Sequence, residues 1–187
     1  AALARERSTA RLAVKRLDAD EVEEELVRGH LDLAITVALM DAARLWRTPV
    51  RAVEYVALTS RRHPLPPPGP DMFDGRGFVR VSSRGGHTYP LQLLLEHGLM
   101  PQVALTVEEY GTLPAVLQDT DLVTFLPRHV AEVFCGWFPA LRIADLPWPG
   151  QSTPVAIFTR RESSLTPAQR WFRRLVHGAV VEPGTEI

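Results

Sequence analysis

The stretch Val50-Arg51-Ala52-Val53-Glu54-Tyr55-Val56-Ala57-Leu58-Thr59 reads as one extended run that stops abruptly at Ser60-Arg61-Arg62-His63. Beyond it, Pro64, Pro66, Pro67, Pro68 and Pro70 with Gly69 exclude helix interior and central strand, so the chain must cross the surface there. Separate alternations of strand and helix lie on either side of this break. The run therefore predicts a passage from one α/β lobe into another, with lobe I opening over residues 1–59 and lobe II over 60–153.

Before the run, Leu12 and Val14 predict a short strand over Ala10 to Leu17. A helix follows, with Asp20 as N-cap, Glu23 as capping-box partner, Val22, Leu26 and Val27 on its inner face, and Gly29 as its stop. Leu31, Leu33, Ile35 and Val37 then alternate with Asp32, Ala34 and Thr36, which is strand periodicity. Strand, helix, strand predicts a parallel βαβ unit. Met40 to Thr48 reads as irregular, with Pro49 ending it before the long run.

After the prolines, Phe78-Val79-Arg80-Val81 opens a second α/β alternation. Its first helix has Pro90 in the first turn, Leu91, Leu94 and Leu95 as buried face, His97 near its end and Gly98 as terminator. Strands over Val103–Val107 and Leu122–Leu126 flank a short helix capped by Thr112, which buries Leu113, Val116 and Leu117. Pro127 begins a helix carrying Val130, Val133 and Phe134, and Leu141-Arg142-Ile143 is a last strand. Residues 154–187 hold one strand, Pro154–Thr159, and one helix with Thr166 as N-cap, Pro167 first and Gln169 completing a capping box, stopped by Gly178. One strand and one helix cannot form a domain. They must return to lobe I, so the Val50–Thr59 passage is half of a pair.

With 187 residues, a formal net charge of −1 and a pI near 6.7, the chain has no basic excess to attract nucleic acid or anionic lipid without sequence preference. No run approaches the about 20 apolar residues of a membrane span. The single Cys135 cannot form an internal disulfide and suits a reducing, cytoplasmic setting. The six histidines show no ligand spacing, so no metal or other cofactor is expected. Ser82 or Ser83 beside His87 hints at a nucleophile and base, but no orienting acid or nucleophile elbow accompanies them, and no catalytic residue is assigned. Arg160, Arg161, Arg170, Arg173 and Arg174 form a basic face without an aromatic platform.

Leu26-Val27-Arg28-Gly29-His30-Leu31-Asp32-Leu33-Ala34-Ile35 and Val56-Ala57-Leu58 running to His63-Pro64-Leu65 resemble the opening of the effector-binding domain of LysR-type transcriptional regulators. Asp119-Thr120-Asp121-Leu122-Val123-Thr124-Phe125-Leu126-Pro127-Arg128 resembles its middle, and Pro154-Val155-Ala156-Ile157-Phe158 through Trp171-Phe172-Arg173-Arg174-Leu175 its end, as in the nodulation-regulator branch. The resemblance implies the type-2 periplasmic-binding-protein fold: two Rossmann-like α/β lobes joined by two crossing hinge strands, with a small aromatic or anionic effector between them. It also implies a winged helix-turn-helix and a first strand upstream of this chain. Promoter DNA would be reached only through that upstream domain. A homodimer is implied too, with the Asp20–Arg28 helix and its neighbouring strand in the interface, and a higher oligomer for the full-length protein.

Ligands in such folds sit where strands end and helices begin. Ser82, Ser83, Arg84, Gly85 and His87 are the first candidates, because backbone N–H groups, hydroxyls and a guanidinium suit a carboxylate or phenolate. The same residues equally suit an ordinary glycine-containing turn with a capping hydroxyl. By family position Thr36, Val37, Tyr110, Phe125 and Leu126 would face the same groove, and Thr59 and Ile157 would line it at the hinges. The rival readings are a solute-binding protein of a transport system on the same fold and an enzyme on the same scaffold.

Overall fold

The computed structural model describes residues 8–15, 21–37, 44–81, 89–148 and 152–180. These residues divide into two compact units: those up to Ala52 together with those from Thr153 onward, and those from Val53 to Ser152. The division falls inside the strand that opened the sequence reading.

In the first unit, α1 (Val22–Arg28) buries Val22 and Leu26 and ends on Gly29, whose φ of 78° is the left-handed geometry that glycine adopts without a Cβ penalty. Here the space is also closed, since a Cβ on Gly29 would stand 3.0 Å from a guanidinium nitrogen of Arg160. Glu21 occupies the N-cap position without a side-chain hydrogen bond, and Asp20 lies outside the described residues. Strand β1 is Ala34–Val37, shorter than its alternation predicts. Its described partner is β7 (Ser152–Arg160), antiparallel, with Ala34 opposite Phe158 and Ile35 opposite Ile157. The expected parallel pairing with a strand over Ala10–Leu17 is not seen: residues 8–15 join no ladder, and Leu12 and Val14 stand 55% and 85% exposed.

Strand β2 runs from Leu45 to Ser60, so the segment expected to be irregular up to Pro49 is already strand. Proline costs a ladder donor but fits extended backbone wherever that donor has no partner to serve. Sheet order in the first unit is β1, β7, β2. Its core is Val22, Leu26, Ala34, Leu45, Ala156 and Phe158. Helix α5 (Pro167–Val180) closes the unit, and its cap is as predicted: the Gln169 amide donates to the Thr166 hydroxyl at 3.3 Å while the Thr166 amide donates to Gln169 Oε1 at 3.0 Å. The helix continues through Gly178 to Val180, because a glycine stops a helix only where it turns left-handed, and Gly178 does not.

In the second unit β2 is paired on both edges. Tyr55–Leu58 lies against β5 (Thr124–Pro127), and Ala57–Ser60 against β6 (Leu141–Ala144), both antiparallel. Strands β3 (Gly77–Val81) and β4 (Gln102–Val107) pair parallel, with a register shift between Phe78 and Val79, and Phe78 forms a parallel bridge to Val123. The helices are α2 (Tyr89–Glu96), α3 (Leu113–Leu117) and α4 (Arg128–Trp137). One core holds Val56, Leu58, Val79, Leu113, Leu117, Leu126, Ala131 and Phe134 among others. A second gathers Ala57, Leu65, Met72, Phe73, Phe78, Leu94, Val123 and Phe125.

Three readings need correction here. The proline connection is anchored and not merely superficial, because Leu65, Met72 and Phe73 are buried and Arg76 donates to the carbonyls of His63, Pro64 and Asp121. Helix α2 buries Leu93 and Leu94 while Leu95 is exposed; the run of three leucines leaves the helical phase open until packing sets it. In α4 the inward positions are Ala131 and Phe134, and Val133 is exposed along with Trp137.

Candidate functional site

The carboxyl ends of the parallel pair β3–β4 are where a ligand could meet strand-to-helix loops. The loop after β3 contains Ser82, Ser83, Arg84, Gly85 and His87, which lie outside the described residues. The segment after β4 turns through a 3₁₀ helix, Tyr110–Thr112, directly into α3. Tyr110 packs against the larger core, and burial, helped by nearby Tyr55, pushes its phenol above the ordinary range. The Tyr110 phenol thus remains a neutral hydrogen-bonding group at physiological pH.

Phe125 and Leu126 belong to opposite faces of β5. Phe125 meets Phe73 edge-on at 5.2 Å between ring centroids, with Phe78 5.4 Å away, and Leu126 is fully buried in the other core. Their side chains are committed to packing. In the first unit Thr36 and Val37 are half-buried opposite Ala156 and Val155. Thr59 is fully buried, its hydroxyl within reach of the His63 carbonyl at 3.2 Å and the Leu122 carbonyl at 3.4 Å. Ile157 is fully buried in β7. Of the predicted set, only Thr36, Val37 and Tyr110 keep partial exposure among the described residues.

Other polar groups escaped the sequence reading. Arg128, at the first turn of α4, donates from Nε and Nη2 to the two oxygens of Glu54, both at 2.8 Å, and from Nη2 to Asp145 at 2.6 Å. A cation at a helix N-terminus opposes the macrodipole, so an arginine directly after Pro127 signals a carboxylate partner elsewhere. The hydrogen bond from Arg128 holds the Glu54 carboxyl below its usual range. Arg80 on β3 donates from Nη2 to the Thr106 hydroxyl at 3.2 Å, while its Nε is buried without a partner. Thr153, at the start of β7, likewise buries an unpartnered hydroxyl. His97 stacks on Trp148 with ring centroids 4.2 Å apart and planes 7° from parallel, tying the end of α2 to the segment after β6.

Burial raises the pKa of the half-buried Cys135 thiol against a smaller opposing effect of Arg61, which disfavours thiolate chemistry. Among the described residues no group of three or more His, Cys, Asp or Glu side chains is placed to hold a metal ion. None of their helices is long and apolar enough to cross a membrane.

Compared with known proteins, residues 1–180 match the LysR substrate binding domain family. Nodulation protein D 1 of Bradyrhizobium elkanii is 32% identical over 83 residues, which are 44% of this chain and 26% of that protein. The probable transcriptional regulator PA0477 from Pseudomonas aeruginosa superposes with a TM-score of 0.79 at 18% identity, covering 95% of this chain and 61% of that one. The effector binding domain of QuiR in complex with shikimate gives a TM-score of 0.70 at 14% identity, covering 87% of this chain and 78% of that one. At such identities the structural likeness is one of fold, the type-2 periplasmic-binding-protein-like α/β fold.

Proposed function

Because the chain belongs to the LysR substrate binding domain family, we propose that it is the ligand-sensing domain of a LysR-type transcriptional regulator, taking a small aromatic or anionic effector. The observation that carries this reading is the family match over residues 1–180, nearly the whole chain. The shikimate held by the QuiR domain supports an effector of that size. The transport reading has only the shared fold in its favour, while the family match and the probable transcriptional regulator PA0477 favour a regulator. The domain performs no reaction of its own, works in the cytoplasm, and reaches promoter DNA through an upstream winged helix-turn-helix.

The effector shifts the population of conformations it binds best, and the full-length protein transmits that bias to its paired DNA-binding domains. Ser82, Ser83, Arg84, Gly85, His87, Thr36, Val37 and Tyr110 are the proposed contacts, with Thr59 and Ile157 at the hinges. Phe125 and Leu126 shape the site from behind, through the cores they fill. A homodimer is the proposed assembly. The exposed apolar side chains of Leu12, Val14, Val103 and Leu105 favour faces other than α1, whose outer side carries Glu23, Glu24 and Arg28.

A thermal-shift screen of aromatic acids and phenols tests this function. A ligand that binds only the folded state raises Tm saturably, adding about 2.7 kcal/mol at one hundred times its Kd. The same compound should alter the promoter footprint of the full-length regulator. A screen in which wild-type protein responds to none of these compounds but to transported solutes such as sugars would sink the proposal.

A further inference from the structure

Arg80 stands at the fourth residue of β3, opposite Thr106 in the parallel register. Alternation from Phe78 puts it on the face of the sheet that carries Phe78 and Leu94, one step beyond the aromatic cluster toward the carboxyl ends of the strands. Thr106, adjacent to the inward-facing Val107 of the other core, shares that face. The guanidinium is half-buried, its Nε is sealed from solvent without a partner, and its one hydrogen bond goes to the neutral Thr106 hydroxyl.

Arg128 shows what this side group ordinarily requires. There the Nε and Nη2 edge grips a carboxylate with two parallel hydrogen bonds. On Arg80 that grip is missing: Nη2 reaches only the Thr106 hydroxyl and Nε reaches nothing. Along its own strand and the residues that follow, from Gly75 to Leu95, there is no aspartate or glutamate, only Arg76, Arg80, Arg84 and His87, and Glu108 and Glu109 after β4 have interactions of their own. Arg76 is spent on three carbonyls. A guanidinium cannot shed its proton to relieve burial, so an unpaired Nε at a strand end is stable only at a cost that an anion would remove.

We propose that Arg80 receives the anionic group of the effector, a carboxylate held on the Nη side of the guanidinium while Thr106 fixes its plane. This rests on the effector-binding reading above and names the charge that the ligand must carry. Arg80 is then a specificity-determining residue that selects acids over their neutral amides.

The test compares wild type with Arg80→Met, which keeps the apolar stem and removes the charge, and with Arg142→Met as an exposed arginine elsewhere in the second unit. The first readout is Tm without ligand, where Arg80→Met should equal or exceed wild type because an uncompensated charge has been removed. A clear drop in Tm would show that the guanidinium is already satisfied within the fold and would overturn the proposal. The second readout is sulfate against chloride at equal ionic strength, a probe independent of the effector's identity. Sulfate should stabilise wild type and Arg142→Met but not Arg80→Met; an equal response in all three counts against the site. The third is the Kd of 4-hydroxybenzoate and of 4-hydroxybenzamide by calorimetry. Arg80→Met should weaken the acid at least about tenfold and leave the amide unchanged. An acid that binds wild type and Arg80→Met equally would discard Arg80 while leaving the effector function intact, whereas a wild type stabilised by sulfate but by no aromatic acid or phenol would retain the anion site and count against the effector class.

Discussion

Strand β2 passes through two kinds of surroundings. In the second unit it runs between two buried clusters, so Val56 and Leu58 enter one core while Ala57 enters the other. Among the described residues of the first unit a single cluster gathers around Phe158, and none of the described side chains of α5 is fully buried, although Trp171, Phe172, Leu175 and Val176 line one side of the helix. Charge pairs flank the buried Val22 and Leu26 of α1, where Arg44 donates to Glu24 at 2.6 Å, Arg28 pairs with Glu24 at 3.3 Å, and Lys15 pairs with Glu25 at 2.6 Å. Exposed pairs of this kind contribute little. The difference teaches that the second unit carries the cooperative core, while the first relies on few large side chains.

The sharpest way to break that contrast is to hollow out each core in turn. Phe158→Ala should cost about 3–5 kcal/mol and Leu126→Ala about 2–5 kcal/mol in urea denaturation, since both side chains are fully buried. Amide exchange should find the opening caused by Phe158→Ala confined to the first unit. Opening that spreads equally through both units would mean that the two cores fold as one.

Smaller effects sharpen the comparison. Arg128→Met removes a side-on pair within the second unit and should cost about 1 kcal/mol at neutral pH, because the partners are largely exposed. Its pH dependence has a definite sign. The folded-state pKa of Glu54 is depressed, so its contribution is full above the unfolded value of about 4.3 and vanishes as pH falls through the lower folded value. Urea midpoints of wild type and Arg128→Met should therefore converge below about pH 4. In the first unit Thr166→Ala removes the N-cap of α5 and should cost about 1 kcal/mol, read as a small fall in Tm. A negligible fall would show that α5 is held by packing alone.

What could be read from the sequence was local chemistry. The Thr166–Gln169 box, the Gly29 and Gly98 stops and the strand–helix alternation after Phe78 each depend on residues a few positions apart, and the structure has them. Long-range choices were not readable. The partner of β1 is β7, more than a hundred residues later, and Trp46-Arg47-Thr48 carries no alternation to reveal that β2 begins at Leu45. The candidate site shares this limit: Arg128 finds Glu54 across 74 positions, and Arg80 and Thr106 meet only through the parallel register. Phe125 and Leu126 were placed by family position, whereas their burial follows from aromatic packing that no spacing records.

The double pairing of β2 makes that strand a shared ruler. Ala57 and Leu58 are in register with β5 on one edge and β6 on the other, so inserting or deleting one residue between Tyr55 and Ser60 would move both ladders together. Every side chain past the change would exchange faces, sending Leu58 toward the aromatic cluster and Ala57 toward the space that Leu58 now fills. Length drift over those residues is therefore closed to this chain, whereas the exposed turn residues of the proline-rich connection can take up added length.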